Sequence, residues 1–269
     1  MDRYVIRGGR AGADRLLVLA RIWAATTSDL LDRCGVPSGA RCLDLGCGAG
    51  DVTLELARRA GPGGRVTGVD RDAVKLEVAR ERALAAGCTN VDFEVLDVYD
   101  LSSRGVYDIA YCRNLLQHLS RPADVVRSMW QAVRRGGVIV VEDADFEGSF
   151  CHPPDAGFDF WVERYQSVLR SYGGDPRSGR KLAAYFAAAG IPRPQVSVVQ
   201  GANLTGEAKS MPLLTVQATA QSMLGAGIAT EQEIEDACTR LAALADDEST
   251  LIGSPRLVQV WSRRDDASS

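Results

Sequence analysis

From Arg41 to Val141 the chain alternates short apolar runs with stretches whose apolar residues recur every three or four positions. The runs are Cys42-Leu43-Asp44-Leu45, Val66-Thr67-Gly68-Val69, Val91 to Leu96, Tyr107 to Tyr111 and Val138-Ile139-Val140-Val141, each the length of a buried strand. Between them the pattern predicts helices over Asp51 to Arg59, with Val52, Leu56 and Ala60 four apart, over Asp72 to Ala86, with Val74 and Val78, and over Arg121 to Arg135, with Val125, Met129 and Val133. Gly61-Pro62-Gly63-Gly64, Gly87 and Gly136-Gly137 punctuate the pieces as turns. Strand and helix in repeated succession predict an α/β fold, a parallel sheet covered on both faces.

Beyond Val141 the rhythm changes. Phe158 to Tyr172 reads as an aromatic-rich helix, Arg180 to Ala189 as a second that stops at Gly190-Ile191-Pro192, and Val196 to Val199 as a strand. Glu207 to Asp247 carries about three helical segments, and Thr230-Glu231-Gln232-Glu233 has the spacing of a capping box. Leu257 to Trp261 is the last strand candidate, and a helix is expected from about Asp14 to Ala25.

Composition narrows the class. The 269 residues are 46% hydrophobic and 25% charged, with 31 Lys and Arg against 35 Asp and Glu and a net charge of -4. That balance offers no surplus of cations for a phosphate backbone, so nucleic acid is not expected as a partner. No apolar run approaches the roughly 20 residues of a membrane span, and Met1 to Arg10 lacks a signal core, so a cytoplasmic protein is expected. The seven cysteines show no C-x-x-C pair, which suits reduced, buried thiols better than disulfides or a metal centre.

The chemistry concentrates in Leu43-Asp44-Leu45-Gly46-Cys47-Gly48-Ala49-Gly50-Asp51, a strand running through glycines into a helix. Bare backbone at the carboxyl edge of a parallel sheet is where such folds take ligands. Asp44 precedes the first glycine by two residues, where a carboxylate suits an ammonium group and repels a pyrophosphate. The loop has no Lys and is spaced G-x-G-x-G, a poor phosphate cradle. Asp70 closes the second strand, where a carboxylate accepts from both ribose hydroxyls, and Asp97 closes the third, near where an adenine amine would lie. A nucleoside with an ammonium and no phosphate describes S-adenosylmethionine.

On these residues, joined in order by Gly68-Val69-Asp70, Leu96-Asp97-Val98, Tyr107 to Tyr111 and Arg134-Arg135-Gly136-Gly137, the chain resembles the class I S-adenosylmethionine-dependent methyltransferases, in the small-molecule branch of the ubiquinone and menaquinone biosynthesis methyltransferases. The resemblance covers about Val36 to Glu142. It implies a Rossmann-like doubly wound seven-stranded sheet, mostly parallel with an antiparallel last strand, plus helical lid insertions. It also implies that Asp44 and the loop Gly46, Cys47, Gly48 and Gly50 hold the methionyl end of the cofactor, Asp70 the ribose, and Asp97 with Val98 the adenine, with Arg71 flanking it. The product would be S-adenosylhomocysteine.

Cys112 to Leu119 follow the fourth strand, where such folds face the transferable methyl. Arg113 is a candidate for the methionyl carboxylate or a plain surface Arg, and His118 a candidate general base or a helix support. His152 is the other candidate base. No metal ligands are expected. Tyr4, Arg7 and Gly8 suggest a lid wall over the cofactor, with residues 1–35 as an amino-terminal helical lid and 36–269 as the methyltransferase domain. Asp143, Asp145, Phe146, Phe150, Cys151, His152, Phe158, Phe160 and Trp161 together suggest an acceptor pocket, and residues 146–175 and 201–255 a helical cover that roofs it or forms a homodimer face. The expected reaction is methyl transfer to O, N or C of a small, apolar or aromatic acceptor, plausibly in natural-product metabolism. The alternative is a relative that keeps the cofactor pocket for a non-methylating reaction or a binding role.

Overall fold

The structure, a computed structural model, describes residues 9–265. It opens with α1 (Gly9–Cys34) and then alternates as expected: β1 (Arg41–Leu45), α2 (Asp51–Ala60), β2 (Arg65–Asp70), α3 (Ala73–Ala85), β3 (Val91–Val95), β4 (Tyr107–Arg113), α4 (Pro122–Ala132) and β5 (Val133–Asp145). The second half adds β6 (Phe150–His152), α5 (Ala156–Ser171), α6 (Ser178–Ala188), β7 (Gln195–Val199), β8 (Ala202–Asn203), α7 (Met211–Gly225), α8 (Glu231–Asp246), β9 (Leu251–Gly253) and β10 (Arg256–Arg263). Among the described residues no helix is long and apolar enough to cross a membrane.

The main sheet has seven strands in the order β3-β2-β1-β4-β5-β10-β7. The first five run parallel, and β10 is antiparallel to both of its neighbours, pairing Arg256 with Asp145 on one side and Leu257 with Val199 on the other. Strand order reverses direction at β1 and β4, so their carboxyl ends open a crevice, the usual ligand position in open α/β sheets.

The period of two along each strand sorts the core onto two faces. Leu43, Leu45, Ala110, Cys112, Ile139 and Val141 pack against Met129 of α4 and Phe186 of α6. Cys42, Val66, Ile109, Tyr111 and Val140 pack on the other face against Leu30 and Leu31 of α1 and Leu56 of α2.

Two boundaries differ from expectation. The helix expected to Arg135 stops at Ala132, and β5 begins at Val133 and runs through Gly136-Gly137. The glycine pair is a strand irregularity instead of a turn: pairing with β4 shifts between Tyr107 and Ile109, and a Cβ on Gly137 would lie 2.9 Å from the Asp108 carbonyl oxygen. At the amino end, α1 continues past Ala25 to Cys34. Thr26, Thr27 and Ser28 compete with helix through their hydroxyls, but here those of Thr27 and Ser28 have partners on other elements. Thr26 donates to the Trp23 carbonyl at 3.0 Å, Thr27 to the buried Glu142 at 2.9 Å, and Ser28 accepts from Arg59 at 2.7 Å. Glu142 also receives Tyr111 and Gln259, so α1 is fastened to the centre of the sheet.

The helices α5, α7 and α8 share a third core of Phe158, Trp161, Tyr165, Val216, Met223 and Leu241, which meets the sheet through Ala144 and Phe146. Beside it lies a small antiparallel sheet, β6-β9-β8, that the sequence pattern does not announce. Asp155 caps α5 by accepting from the Gly157 and Phe158 amides at 2.7 and 3.1 Å. The capping box at Thr230 and Glu233 is present at the start of α8. Lys209, 1% exposed, donates to the Leu204 and Asp247 carbonyls and the Thr250 hydroxyl, joining the turn before α7 to the end of α8.

Candidate active site

The chain leaves β1 through two backbone bonds, from the Gly46 and Cys47 amides to the Val69 carbonyl at 2.8 and 2.9 Å. Gly46 and Gly48 have φ of +75° and +54°, a region that disfavours side chains. A Cβ would also meet Leu115 at 3.0 Å from Gly46 and Leu16 at 3.0 Å from Gly48. Asp70 at the end of β2 closes the loop: one oxygen accepts from the Gly48 amide at 3.0 Å and the other from the Asp72 amide at 2.9 Å. Thus Asp70 shapes the glycine turn as well as facing the crevice.

Asp44 is 2% exposed, and its carboxylate accepts from the Thr53 hydroxyl at 2.7 Å. Burial pushes its pKa up to about 7, against the pull of that hydroxyl. A buried carboxylate that resists ionisation gains from a cationic neighbour.

A single cavity gathers Asp44, Gly46, Cys47, Gly48, Asp51 and Asp70 from the strand ends with Arg113, Asn114, Gln117 and His118 from the segment after β4. Gly50 stands at the head of α2, in the same turn. Asn114 adopts a left-handed φ of 51°, which Asn tolerates better than most residues, and its amide donates to the Glu142 carbonyl at 2.9 Å. Two side-chain oxygens in this wall, Asn114 Oδ1 and Gln117 Oε1, are buried with no hydrogen-bond partner among the described residues.

Several expected site residues stand elsewhere. The Arg113 guanidinium lines the cavity but is engaged by the Asp51 carboxylate and the Thr27 hydroxyl, so its charge is already matched. Asp97 accepts from the Tyr99 amide at 3.0 Å as the cap of a short turn, Val98 lies in the core beneath it, and neither lines the cavity. Arg71 is exposed and outside the lining. His152 is exposed at the end of β6 and also outside it, so it is not placed to act as a base there. His118 lines the cavity, but burial lowers its pKa to about 3, with Lys75, Arg15 and Arg71 adding to the effect. An imidazole buried in this way is a weaker proton acceptor than a free one. Tyr4, Arg7 and Gly8 lie outside the described residues.

The expected acidic pocket beyond β5 also resolves differently, because β5 extends to Asp145. Asp143 is fully buried and accepts from the Gln117 and Ala144 amides, both at 2.8 Å, and from the Ser178 hydroxyl at 3.2 Å. Asp145 is held bidentately by Arg180. Both are structural ties. Phe146 and Trp161 do line the cavity, with Tyr165 behind them, the Phe146 and Trp161 rings 6.1 Å apart edge to face.

The opposite wall comes from the cover. Leu16, Leu19, Ile22 and Trp23 of α1 and Met211, Pro212 and Thr215 of α7 close over the strand ends. Arg15, which the sequence does not single out, is 8% exposed and points its Nε and Nη2 at the Thr215 hydroxyl at 3.3 and 3.1 Å. Trp161 is 3% exposed, and its indole N–H has no hydrogen-bond partner among the described residues. A charged residue on a helix resembles any surface Arg in sequence, so nothing along the chain marks Arg15.

The strand-end wall fits S-adenosylmethionine. It presents acceptors to the cavity, namely the carboxylates of Asp44 and Asp70, which already accept from protein donors, and the orphaned oxygens of Asn114 and Gln117. The cofactor presents donors: an ammonium, two ribose hydroxyls and an adenine amine.

Comparison with known proteins agrees. A family model described as a methyltransferase domain matches residues 37–172. The ubiquinone biosynthesis O-methyltransferase of Escherichia coli O157:H7 is 36% identical over 121 residues, 44% of this chain and 49% of the relative. The chain thus spans about half the length of that curated relative. The YcgJ protein from Bacillus subtilis superposes with a TM-score of 0.58 at 17% identity, covering 88% of this chain and 97% of the other. Geranyl diphosphate methyltransferase, solved with S-adenosylmethionine, gives 0.54 at 19% identity over 97% of each chain. At such identities these two likenesses speak to the fold.

Proposed function

We propose a function that follows from one premise: the chain belongs to the class I S-adenosylmethionine-dependent methyltransferases. It transfers a methyl group to an O, N or C atom of a small acceptor with an apolar or aromatic body. The observation that carries this reading is the composite cavity, in which the acceptor-rich strand ends face an aromatic cover of Phe146, Trp161 and Tyr165.

The sulfonium, when bound, supplies an already activated methyl. The protein's share is therefore positioning and exclusion of water, and aligned reactants gain up to roughly 7–11 kcal/mol in intramolecular models. Asp44 and Asp70 hold the two ends of the nucleoside amino acid, Leu16 and the α1 face close over the glycine turn, and the rings of the cover orient the acceptor. The extent of the cover suits a tailoring step on a specialised metabolite.

Incubating the chain with methyl-labelled S-adenosylmethionine and a panel of aromatic hydroxyl, amine and carbon acceptors tests the reading. Label in an acceptor, with an equal amount of S-adenosylhomocysteine formed, is the expected result. Tight S-adenosylhomocysteine binding with no label in any acceptor would favour the non-methylating alternative.

A further inference from the structure

The polar groups of the two cavity walls differ in kind. Every acid in the lining, Asp44, Asp51 and Asp70, comes from the sheet side. The cover contributes donors, and two of them lack a matching acceptor. The Arg15 guanidinium spends Nε and one Nη2 hydrogen on the Thr215 hydroxyl, which itself donates to the Met211 carbonyl at 2.7 Å. Among the described residues no carboxylate partners Arg15, and a neutral hydroxyl is what stands beside its buried positive charge at the cavity. Such a charge is expensive to bury without an anion. The Trp161 indole N–H is the second open donor.

We propose that the cover selects an acceptor bearing a carboxylate on an apolar or aromatic body, with the Arg15 guanidinium taking the carboxylate and the Trp161 N–H donating to an acceptor oxygen of the same molecule. The proposal rests on the methyltransferase reading above and names the substrate class of that site.

One observation separates this anion site from the cofactor's own carboxylate. Arg15 is tied to α7, an element of the cover, through Thr215. A carboxylate matches one guanidinium in charge and in planar geometry. A phosphate dianion would leave a buried negative excess, because Trp161 adds a donor but no charge and the other lining cations have carboxylates of their own, Lys75 with Asp72 at 3.9 Å and Arg113 with Asp51.

Calorimetry on the full chain saturated with S-adenosylhomocysteine tests the proposal, with 2-naphthoate, 2-naphthamide and 2-naphthyl phosphate as probes. Naphthoate should bind about tenfold more tightly than the amide, the scale of a charge-assisted pair. Arg15→Gln should erase that preference while S-adenosylhomocysteine affinity stays within about twofold of the parent, and Trp161→Phe should weaken naphthoate and naphthamide alike while keeping the preference. Equal binding of naphthoate and naphthamide by the parent overturns the proposal, as does tighter binding of the phosphate. A tenfold or larger loss of S-adenosylhomocysteine affinity in Arg15→Gln overturns it too, because the guanidinium would then hold the methionyl carboxylate. Failure of the parent chain to bind S-adenosylhomocysteine at all would instead sink the methyltransferase reading, so the two failures are distinct.

Discussion

The two walls of the cavity are built by different rules. The strand-end wall comes from short contiguous stretches, Asp44 to Asp51 and Arg113 to His118, with Asp70 between them, and its free groups are oxygens that accept. The cover wall collects Arg15, Phe146, Trp161, Met211 and Thr215 from four separate segments, and its free groups are donors and ring faces. The first wall is shaped by backbone turns, the second by packing of helices around a core of their own. In the proposed reading one wall is matched to a constant ligand, the cofactor, and the other is free to vary with the acceptor, because exchanging its side chains leaves the glycine turn and its hydrogen bonds untouched.

Substitutions that strike one wall and spare the other test that division. The largest effect is expected from Asp70→Ala, which removes the carboxylate proposed to accept from the ribose together with its main-chain bonds to Gly48 in the glycine turn and to Asp72. Hydrogen bonds to a charged group contribute about 1.5–3 kcal/mol each, so S-adenosylhomocysteine affinity should fall about a hundredfold or more by calorimetry. Naphthoate binding to the unliganded chain should change little.

Next comes pH. Burial raises the Asp44 pKa to about 7, so an ammonium bound beside it, as proposed for the cofactor, must draw the carboxylate into its ionised form. Affinity for S-adenosylhomocysteine should therefore climb between pH 5.5 and 7.5, by up to about tenfold per unit below pH 7, and Asp44→Asn should flatten that slope. The linked sign for stability is opposite. The folded pKa lies above the unfolded one, so Asp44's contribution is fully present below the unfolded value and is lost as pH rises through about 7.

On the other wall, Trp161→Phe keeps the ring and deletes only the open N–H. It should raise the acceptor KM about threefold to tenfold, the effect of one neutral hydrogen bond, with S-adenosylhomocysteine affinity unchanged. The smallest effect is expected from Thr230→Ala, which removes the capping box of α8. Stability should drop by about 1 kcal/mol, and hydrogen exchange should quicken in α8 before it does in the main sheet. A uniform increase would mean the cover and sheet open as one unit.

The sequence made the strand-end wall legible because its chemistry is local. Gly46, Gly48 and Asp44 sit within five residues, and the identity of each is dictated by a turn or a ligand contact near it. The second role of Asp70, closing the loop onto Gly48, is invisible there because the two positions are 22 apart. Arg113 shows the limit clearly: its place after β4 suggested a ligand contact, while its guanidinium is engaged by Asp51 and Thr27, from two other helices. His118 and His152 looked alike as candidate bases, and burial alone separates them.

By itself the sequence determined the alternating strands and helices, the order of the cofactor motifs and therefore the family, since all three depend on periodicity and short spacings. Only the tertiary structure decided which polar groups are left over when the protein has satisfied its own needs. It matched Asp143 and Asp145 to internal partners, lowered the proton affinity of His118 by burying it, and left Asn114, Gln117, Trp161 and Arg15 facing the cavity. The reason is physical: whether a buried polar group is satisfied depends on atoms brought from distant parts of the chain, and no local pattern carries that information.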